Sequence, residues 1–195
     1  TTVNLIILHE DDFIDDNVVR LSDERFLHIR DIHQSVSGSS IRVGQLNGLI
    51  GNGIIGLLSE TAVEITVTLN QSPPAKLPLT VILSLPRPKM IRGIFRSIAE
   101  LGVEQLIVIN SSKVEKSFWK SPVLHQQKIE HYLIAGLQQC MDTVMPTVHF
   151  KRLFKPFIED ELPTIIDGSI GLIAHPELGH SCPHNLDQRI TLAIG

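Results

Sequence analysis

The stretch that decides the fold runs from residue 78 to residue 110 and reads PLTVILSLPRPKMIRGIFRSIAELGVEQLIVIN. It begins with a β-branched-rich apolar run, Val81 to Leu83, which is typical of a strand and ends at a proline-flanked basic loop. Lys89 to Leu101 then has the spacing of an amphipathic helix, and Gly102 stands where a left-handed cap would end it. A second apolar run, Leu106 to Ile109, predicts a buried strand, so the whole stretch is a βαβ unit.

This predicted helix has an apolar face and a basic face. The expected buried stripe consists of Met90, Ile94, Ile98 and Leu101. The basic residues, which we call the basic ridge, are Arg87, Lys89, Arg92 and Arg96, and no acidic residue stands between the first and the last. Such a cluster where a strand meets a helix favours anion binding, and a merely solvated helix face is the alternative.

Charge is distributed unevenly along the chain. The net charge of the whole chain is −4, which argues against a general nucleic-acid binder. Residues 76–156, however, contain 12 basic and 5 acidic residues, whereas residues 1–75 and 157–195 are both acidic. A basic middle segment predicts a polyanionic partner, and phosphate backbones are the most common one.

Composition indicates an ordinary globular protein. Hydrophobic residues make up 43% and charged residues 19% of the chain, which is enough apolar material for a sizeable core. No apolar run reaches the ~18 residues of a membrane helix, and no secretory signal is visible. We therefore expect a cytoplasmic protein with no membrane partner, in which Cys140 and Cys182 are free thiols.

Two domains joined by a linker are predicted. Over residues 1–71 short strands alternate with turns, which predicts a small antiparallel β-barrel with a short helix at residues 21–32, opened by Ser22. The proline-rich segment 72–78 is the expected linker. Over residues 79–195 strands alternate with helices, which predicts an α/β domain with a mostly parallel sheet.

Six segments in order along the chain, LPRPKM, ELGV, EQLIVINSSKVEKSFW, FKPFIEDELP, LIAHPE and ITLAIG, resemble the RsmE-type ribosomal small-subunit RNA uridine N3-methyltransferase family. The resemblance implies an N-terminal PUA-like β-barrel that helps to hold RNA. It also implies a SPOUT-type α/β domain with a trefoil knot, a rare exception to unknotted chains. Such a protein is expected to be a homodimer that uses S-adenosylmethionine to methylate a uridine N3 of 16S rRNA in the small ribosomal subunit.

The resemblance also places the site residues. Cofactor-binding residues are expected in two loops, Ala174, His175 and Pro176 in the first and Ile194 and Gly195 in the second. The basic ridge is expected to hold RNA phosphates, with help from Lys113 and Lys116. In the family, the last strand continues into a P-E-G-G loop and later into an arginine near the target base. Since the sequence stops at Gly195, we expect a C-terminally truncated chain whose catalytic arginine lies beyond Gly195.

Several alternatives stay open. A catalytically silent RNA-binding or ribosome-assembly module would use the same basic ridge. Phe118 and Trp119 could stack on a base, or be buried against a further helix that is predicted from Pro122 to Cys140. The run His175, His180, Cys182 and His184 superficially resembles a zinc cluster, but its spacing fits no standard pattern, so a solvated loop without metal is predicted. A generic dinucleotide-binding enzyme is disfavoured because no G-x-G-x-x-G follows the first strand.

Overall fold

The computed structural model describes residues 4–33, 37–175, 181 and 183–195, with only the backbone described at residues 32 and 33. The chain divides into two units, one comprising residues 1–74 with 134–145 and the other residues 75–133 with 146–195. The first contains a six-stranded sheet and the second a five-stranded parallel sheet. The mixed α/β class predicted from the sequence is confirmed.

The first unit is built on a sheet with the strand order β1-β4-β5-β6-β3-β2. Its strands are β1 (Ile6–Leu8), β2 (Phe13–Asp15), β3 (Val18–Leu21), β4 (Ser40–Gln45), β5 (Ile50–Leu58) and β6 (Val63–Gln71). β1 pairs with β4 in parallel, and the other pairs are antiparallel. Apolar side chains alternate along these strands and form one core, to which the helix α1 (Glu24–His33) contributes Phe26 and Ile29.

A network of ion pairs around Arg25 fixes the start of α1. Its guanidinium donates hydrogen bonds to the carboxylates of Asp12 and Asp23, each at 2.6 Å. Burial by itself would lower the pKa of Arg25, but the two carboxylates outweigh it and raise that pKa. In return, the hydrogen bond from Arg25 holds the pKa of Asp23 below its usual value. The Asp23 carboxylate also accepts a hydrogen bond from the backbone N–H of Arg25, and the helix begins at Glu24. Asp23 therefore precedes the helix, and the prediction that Ser22 opens it is wrong.

Gly51 allows β5 and β6 to approach closely. A Cβ atom at this position would lie 1.8 Å from the carbonyl oxygen of Thr68, which belongs to the backbone of β6. No shift of a side chain can relieve such a contact, so β5 accepts only glycine there.

The second unit is built on a parallel sheet with the strand order β10-β11-β7-β8-β9. Its strands are β7 (Leu77–Ser84), β8 (Val103–Ile109), β9 (Thr147–Lys151), β10 (Ile170–Ala174) and β11 (Ile190–Ile194). Its helices are α2 (Pro88–Glu100), α3 (Gln126–Cys140, which passes into the first unit), α4 (Phe154–Pro156), a π-helical turn (Phe157–Glu161) and α5 (Leu162–Ile166). The predicted βαβ unit is present as β7-α2-β8, although β7 begins at Leu77, inside the segment predicted as a linker.

The buried face of α2 differs from the predicted stripe. Met90 and Leu101 are 59% and 66% exposed, so their predicted burial is wrong. The buried residues are Ile91, Phe95, Ile98 and Ala99. Both stripes are apolar in the sequence, and the helix is rotated so that the large ring of Phe95 is fully buried. The predicted end of the helix is confirmed, since Gly102 has a φ of 69°.

On another part of the parallel sheet, the π-helical turn supplies the centre of a second core. Phe157 is fully buried and packs with Ile82, Ile107 and Ile109 of β7 and β8.

Among the residues that the structure describes, no helix combines the length and the apolar character that crossing a membrane requires.

Candidate functional site

A cleft of about 850 Å³ lies where the carboxyl ends of β7, β8, β10 and β11 meet. Open parallel sheets bind their ligands beyond the carboxyl ends of the strands, and this volume falls within the ~300–1,000 Å³ typical of ligand pockets. Four segments and Phe118 line it: residues 82–87 at the end of β7 and in the following loop, 109 and 111–114 at and after the end of β8, 173–175 at the end of β10, and 193–195 at the end of β11.

Four of the five predicted cofactor-binding residues line this cleft. They are Ala174, His175, Ile194 and Gly195. Ala174 and Ile194 are direct partners in the β10–β11 register, and Ile194 is also paired with Leu83 of β7. The pairing therefore brings together the ends of β7, β10 and β11. Pro176, the fifth residue, lies outside the described residues, and the role of all five in cofactor binding stays a prediction.

The four residues of the basic ridge lie in three different environments. Arg87 lines the cleft, whereas Lys89 and Arg92 line a smaller pocket beside it. Arg96 is held by Glu100 one helical turn later, with Nε donating to the carboxylate at 2.6 Å. All four basic side chains are exposed, and their role in holding RNA phosphates stays a prediction.

The loop that follows β8 is braced by Trp119. Its Nε1–H donates to the side-chain oxygen of Asn110 at 3.0 Å, its ring meets that of Phe150 edge-on with centroids 6.3 Å apart, and the guanidinium of Arg152 lies 5.2 Å from its centroid. Trp119 therefore contacts residues at the ends of β8 and β9, and both its stacking on a base and its burial against the helix predicted at residues 122–140 stay predictions. Phe118, next to it, lines the cleft.

The lining of the cleft suits a ligand that has both a flat apolar part and a polar part. Leu85, Phe118 and Ile173 provide apolar surface, and Ser111 and Ser112 provide hydroxyl groups. Among the described residues that line it, two are basic, Arg87 and Lys113, and none has a carboxylate side chain. The cleft thus favours a ligand with an anionic group or a neighbouring anion.

Ser84, Ser111 and Ser112 also line the cleft and were not predicted from the sequence. Ser84 ends β7, and Ser111 and Ser112 follow the end of β8 by two and three residues, so all three stand at the same edge of the sheet as the residues that the resemblance identified. The rule that parallel sheets bind ligands at this edge, applied to every predicted strand, would have found them.

In the part of the chain that the structure describes, no three His, Cys, Asp or Glu side chains lie close enough together to hold a metal ion. His180 and Cys182 of the zinc-like run lie outside the described residues, while His175 lines the cleft.

A small-molecule cleft at the carboxyl edge of a parallel sheet, with basic side chains at and beside it, defines a ligand-binding α/β protein suited to a polyanionic partner. The chain belongs to the RNA methyltransferase domain family, whose model matches residues 73–195. Together with the curated relatives described next, this match confirms the RsmE-type resemblance seen in the sequence.

Two curated relatives are proteins of this type. Ribosomal RNA small subunit methyltransferase E of Treponema pallidum is 27% identical over 157 residues, which cover 80% of this chain and 59% of that protein. Ribosomal RNA small subunit methyltransferase E 1 of Borreliella burgdorferi is 30% identical over 77 residues, which cover 40% of this chain and 32% of that protein. The chain thus spans less than two thirds of the length of the curated relatives that it matches.

Solved structures share the fold. Ribosomal RNA small subunit methyltransferase E from Neisseria gonorrhoeae, bound to S-adenosyl methionine, matches with a TM-score of 0.70 at 15% identity, over 99% of this chain and 79% of that one. A probable rRNA-methyltransferase from Porphyromonas gingivalis matches with a TM-score of 0.70 at 18% identity, over 97% of this chain and 79% of that one. At such identities the likeness establishes the fold.

Proposed function

We propose that the protein is an S-adenosylmethionine-dependent methyltransferase that modifies a uridine at N3 in 16S ribosomal RNA. The observation that carries the proposal is the cleft. All residues that line it fall within the segment 73–195 that matches the RNA methyltransferase domain. A relative of the same fold and the same type has been solved with S-adenosyl methionine bound.

The residues present fit this cofactor. The apolar walls formed by Leu85, Phe118 and Ile173 suit an adenine ring, and the hydroxyls of Ser111 and Ser112 can donate to or accept from the ribose and the amino-acid part. The strand ends at Ala174 and Ile194 offer backbone amide and carbonyl groups at the same edge. When bound, S-adenosylmethionine supplies an activated methyl group on a sulfonium.

Because such a methyl group is intrinsically reactive, the protein contributes mainly alignment, which holds the donor carbon and the acceptor nitrogen in line. The N3 edge of uracil is normally hidden by pairing or stacking, so the target base has to be exposed before it can enter the cleft. Arg87 and Lys113, both exposed at the cleft, are the side chains placed to hold a phosphate of the substrate strand.

Finer features of the family complete the proposal. Residues 1–71 are proposed to form a PUA-like barrel and 79–195 a SPOUT-type domain with a trefoil knot, joined by the segment 72–78, whose last two residues begin β7. We expect the protein to act as a cytoplasmic homodimer on the small ribosomal subunit. The six-stranded sheet of the first unit and the parallel sheet of the second support this organisation.

Mass spectrometry of 16S ribosomal RNA from cells with and without the gene tests the proposed activity, and the expected result is the loss of one N3-methyluridine.

Calorimetry with S-adenosylmethionine tests whether the cleft binds the cofactor. Phe118→Ala should weaken binding about tenfold, since it removes an apolar wall. The control Leu153→Ala, at a position 70% exposed and away from the cleft, should not. Unmodified RNA together with no cofactor binding would instead support the catalytically silent RNA-binding module.

A further inference from the structure

A second, smaller pocket of about 310 Å³ lies between the start of α2, the short turn Pro122–Leu124 and the first half of α3. The polar side chains that line it belong to Lys89, Arg92, Ser121, Lys128 and Tyr132. Two of these residues belong to the basic ridge, whereas Lys128 and Tyr132 come from a different helix, one turn apart on α3. The pocket therefore draws its charge from elements that are separate in sequence.

Each of these polar side chains can donate a hydrogen bond, and no carboxylate is among the described residues that line the pocket. Lys89, Arg92 and Lys128 are exposed and make no ion pair with a carboxylate of the described part of the chain. Three neighbouring positive charges without a counter-charge repel one another. An anion between them would remove that repulsion.

The rest of the wall suits a sugar-phosphate group. Pro88, Pro122 and Val123 provide a stiff apolar surface, on which the face of a ribose can pack. The pocket also lies at the N-terminal end of α2, whose first turn contains no acidic residue. The helix dipole at this end adds to the attraction for negative charge.

The pocket and the cleft share one turn of the chain. Arg87 lines the cleft and Lys89 lines the pocket. Because consecutive Cα atoms are 3.8 Å apart, the Cα atoms of these two residues are separated by about 7.6 Å at most. A polynucleotide with one base in the cleft would therefore pass close to the pocket.

We propose that this pocket binds a phosphodiester of the single-stranded RNA whose target base enters the cleft, with Lys128 and Tyr132 as contacts in addition to Lys89 and Arg92. The proposal rests on the proposed function and deepens it. A volume of about 310 Å³ is at the small end of the range for ligand pockets, which suits one sugar-phosphate unit. Hydroxyl groups of Ser and Tyr are common partners of phosphate oxygens, as are Lys and Arg.

The test uses fluorescence anisotropy with a labelled single-stranded oligoribonucleotide that contains uridine, measured over a range of salt concentrations. Lys128→Gln should weaken binding about fivefold and lower the slope of log K against log salt by about 0.7. Tyr132→Phe should weaken binding by a smaller factor and leave the slope unchanged, because it removes a hydroxyl and no charge. The matched control is Lys155→Gln, since Lys155 is 80% exposed and lies outside both cavities.

Calorimetry with S-adenosylmethionine on the same proteins separates the two proposals. The pocket variants should bind the cofactor as the unaltered protein does, and failure of the unaltered protein to bind it would count against the proposed function. The pocket proposal itself is overturned if Lys128→Gln and Lys155→Gln change RNA affinity and salt slope equally. It is also overturned if the unaltered protein does not bind the oligonucleotide, or if inorganic phosphate displaces the oligonucleotide at equal concentration.

Discussion

The hydrogen bond between Trp119 and Asn110 is expected to stabilise the loop that forms one wall of the cleft. Trp119 Nε1 lies 3.0 Å from Asn110 Oδ1, and both residues are half-buried. Asn110 directly follows β8 and Ser111 is the next residue, so the bond closes a short segment that includes Ser111, Ser112 and Phe118. Breaking it should loosen this wall without disturbing the strands.

The perturbation is a double-mutant cycle of Trp119→Phe and Asn110→Ala. A net hydrogen bond between neutral groups is worth about 1 kcal/mol, within a range of about 0.5–1.5 kcal/mol. The coupling energy should have this size, because each single substitution removes the same interaction. The quantity to measure is the free energy of S-adenosylmethionine binding by calorimetry, together with urea unfolding followed by circular dichroism.

Asn110→Asp is the matched control, because it keeps a side-chain oxygen that can accept from the indole N–H. It also keeps the only tryptophan of the chain, so acrylamide quenching of Trp119 can be compared between Asn110→Ala and Asn110→Asp, and quenching should rise only in the first. A coupling energy below about 0.3 kcal/mol in both measurements, the limit for independent sites, would refute the reasoning.

Three further predictions follow from buried contacts and charges. Phe157→Ala should lower the free energy of unfolding by about 3–5 kcal/mol in urea, because it empties the centre of a core. Gly51→Ala should unfold the first unit or lower its thermal midpoint sharply, whereas Gly93→Ala, a helical position with nothing within 4 Å of the added Cβ, should raise stability by up to ~1 kcal/mol. Because Arg25 lowers the pKa of Asp23, this pair should stabilise the fold above about pH 4 and lose that contribution as the pH falls through the lowered pKa. Asp23→Asn should therefore make the free energy of unfolding depend less on pH in this acid range.

Strands and the βαβ unit were predictable because their signals are local. The runs at Val81 to Leu83 and Leu106 to Ile109 lie within β7 and β8, and Gly102 ends α2 as its position indicated. The side of α2 that is buried was not predictable from spacing. Residues 90–101 contain two overlapping apolar stripes, and only packing against the sheet, which buries Phe95, decides between them.

Helices of residues 154–166 were missed for a different reason. Pro156 and Pro163 interrupt the segment, and proline in a helical interior argues against a helix. The structure accommodates both by joining three short segments, with Pro163 in the first turn of α5, where a missing N–H has no consequence. A proline-based rule cannot distinguish one broken helix from three short ones.

Part of the site was predictable from family likeness and part required the fold. The residues at the ends of β10 and β11 were identified from the sequence, because they stand in segments that resemble the family. Lys128 was not, because it is a single basic residue on α3 and only the tertiary structure brings it beside Lys89 and Arg92. A charge count along the chain treats Arg96 and Lys128 alike, although the first is paired with Glu100.

The position of β11 within the sheet has a consequence for the order in which the protein assembles during synthesis. β11 is the last of the described strands to leave the ribosome, yet it lies between β7 and β10 and pairs with both. Among the described strands it is the only partner of β10, so the nascent chain can complete β7-β8-β9 early but cannot dock β10 until β11 has emerged. Such long-range parallel pairing is slow to form. Until it does, two walls of the cleft are missing, and a nascent chain that stalls before residue 190 would expose the edge of β7 to unwanted pairing with other chains.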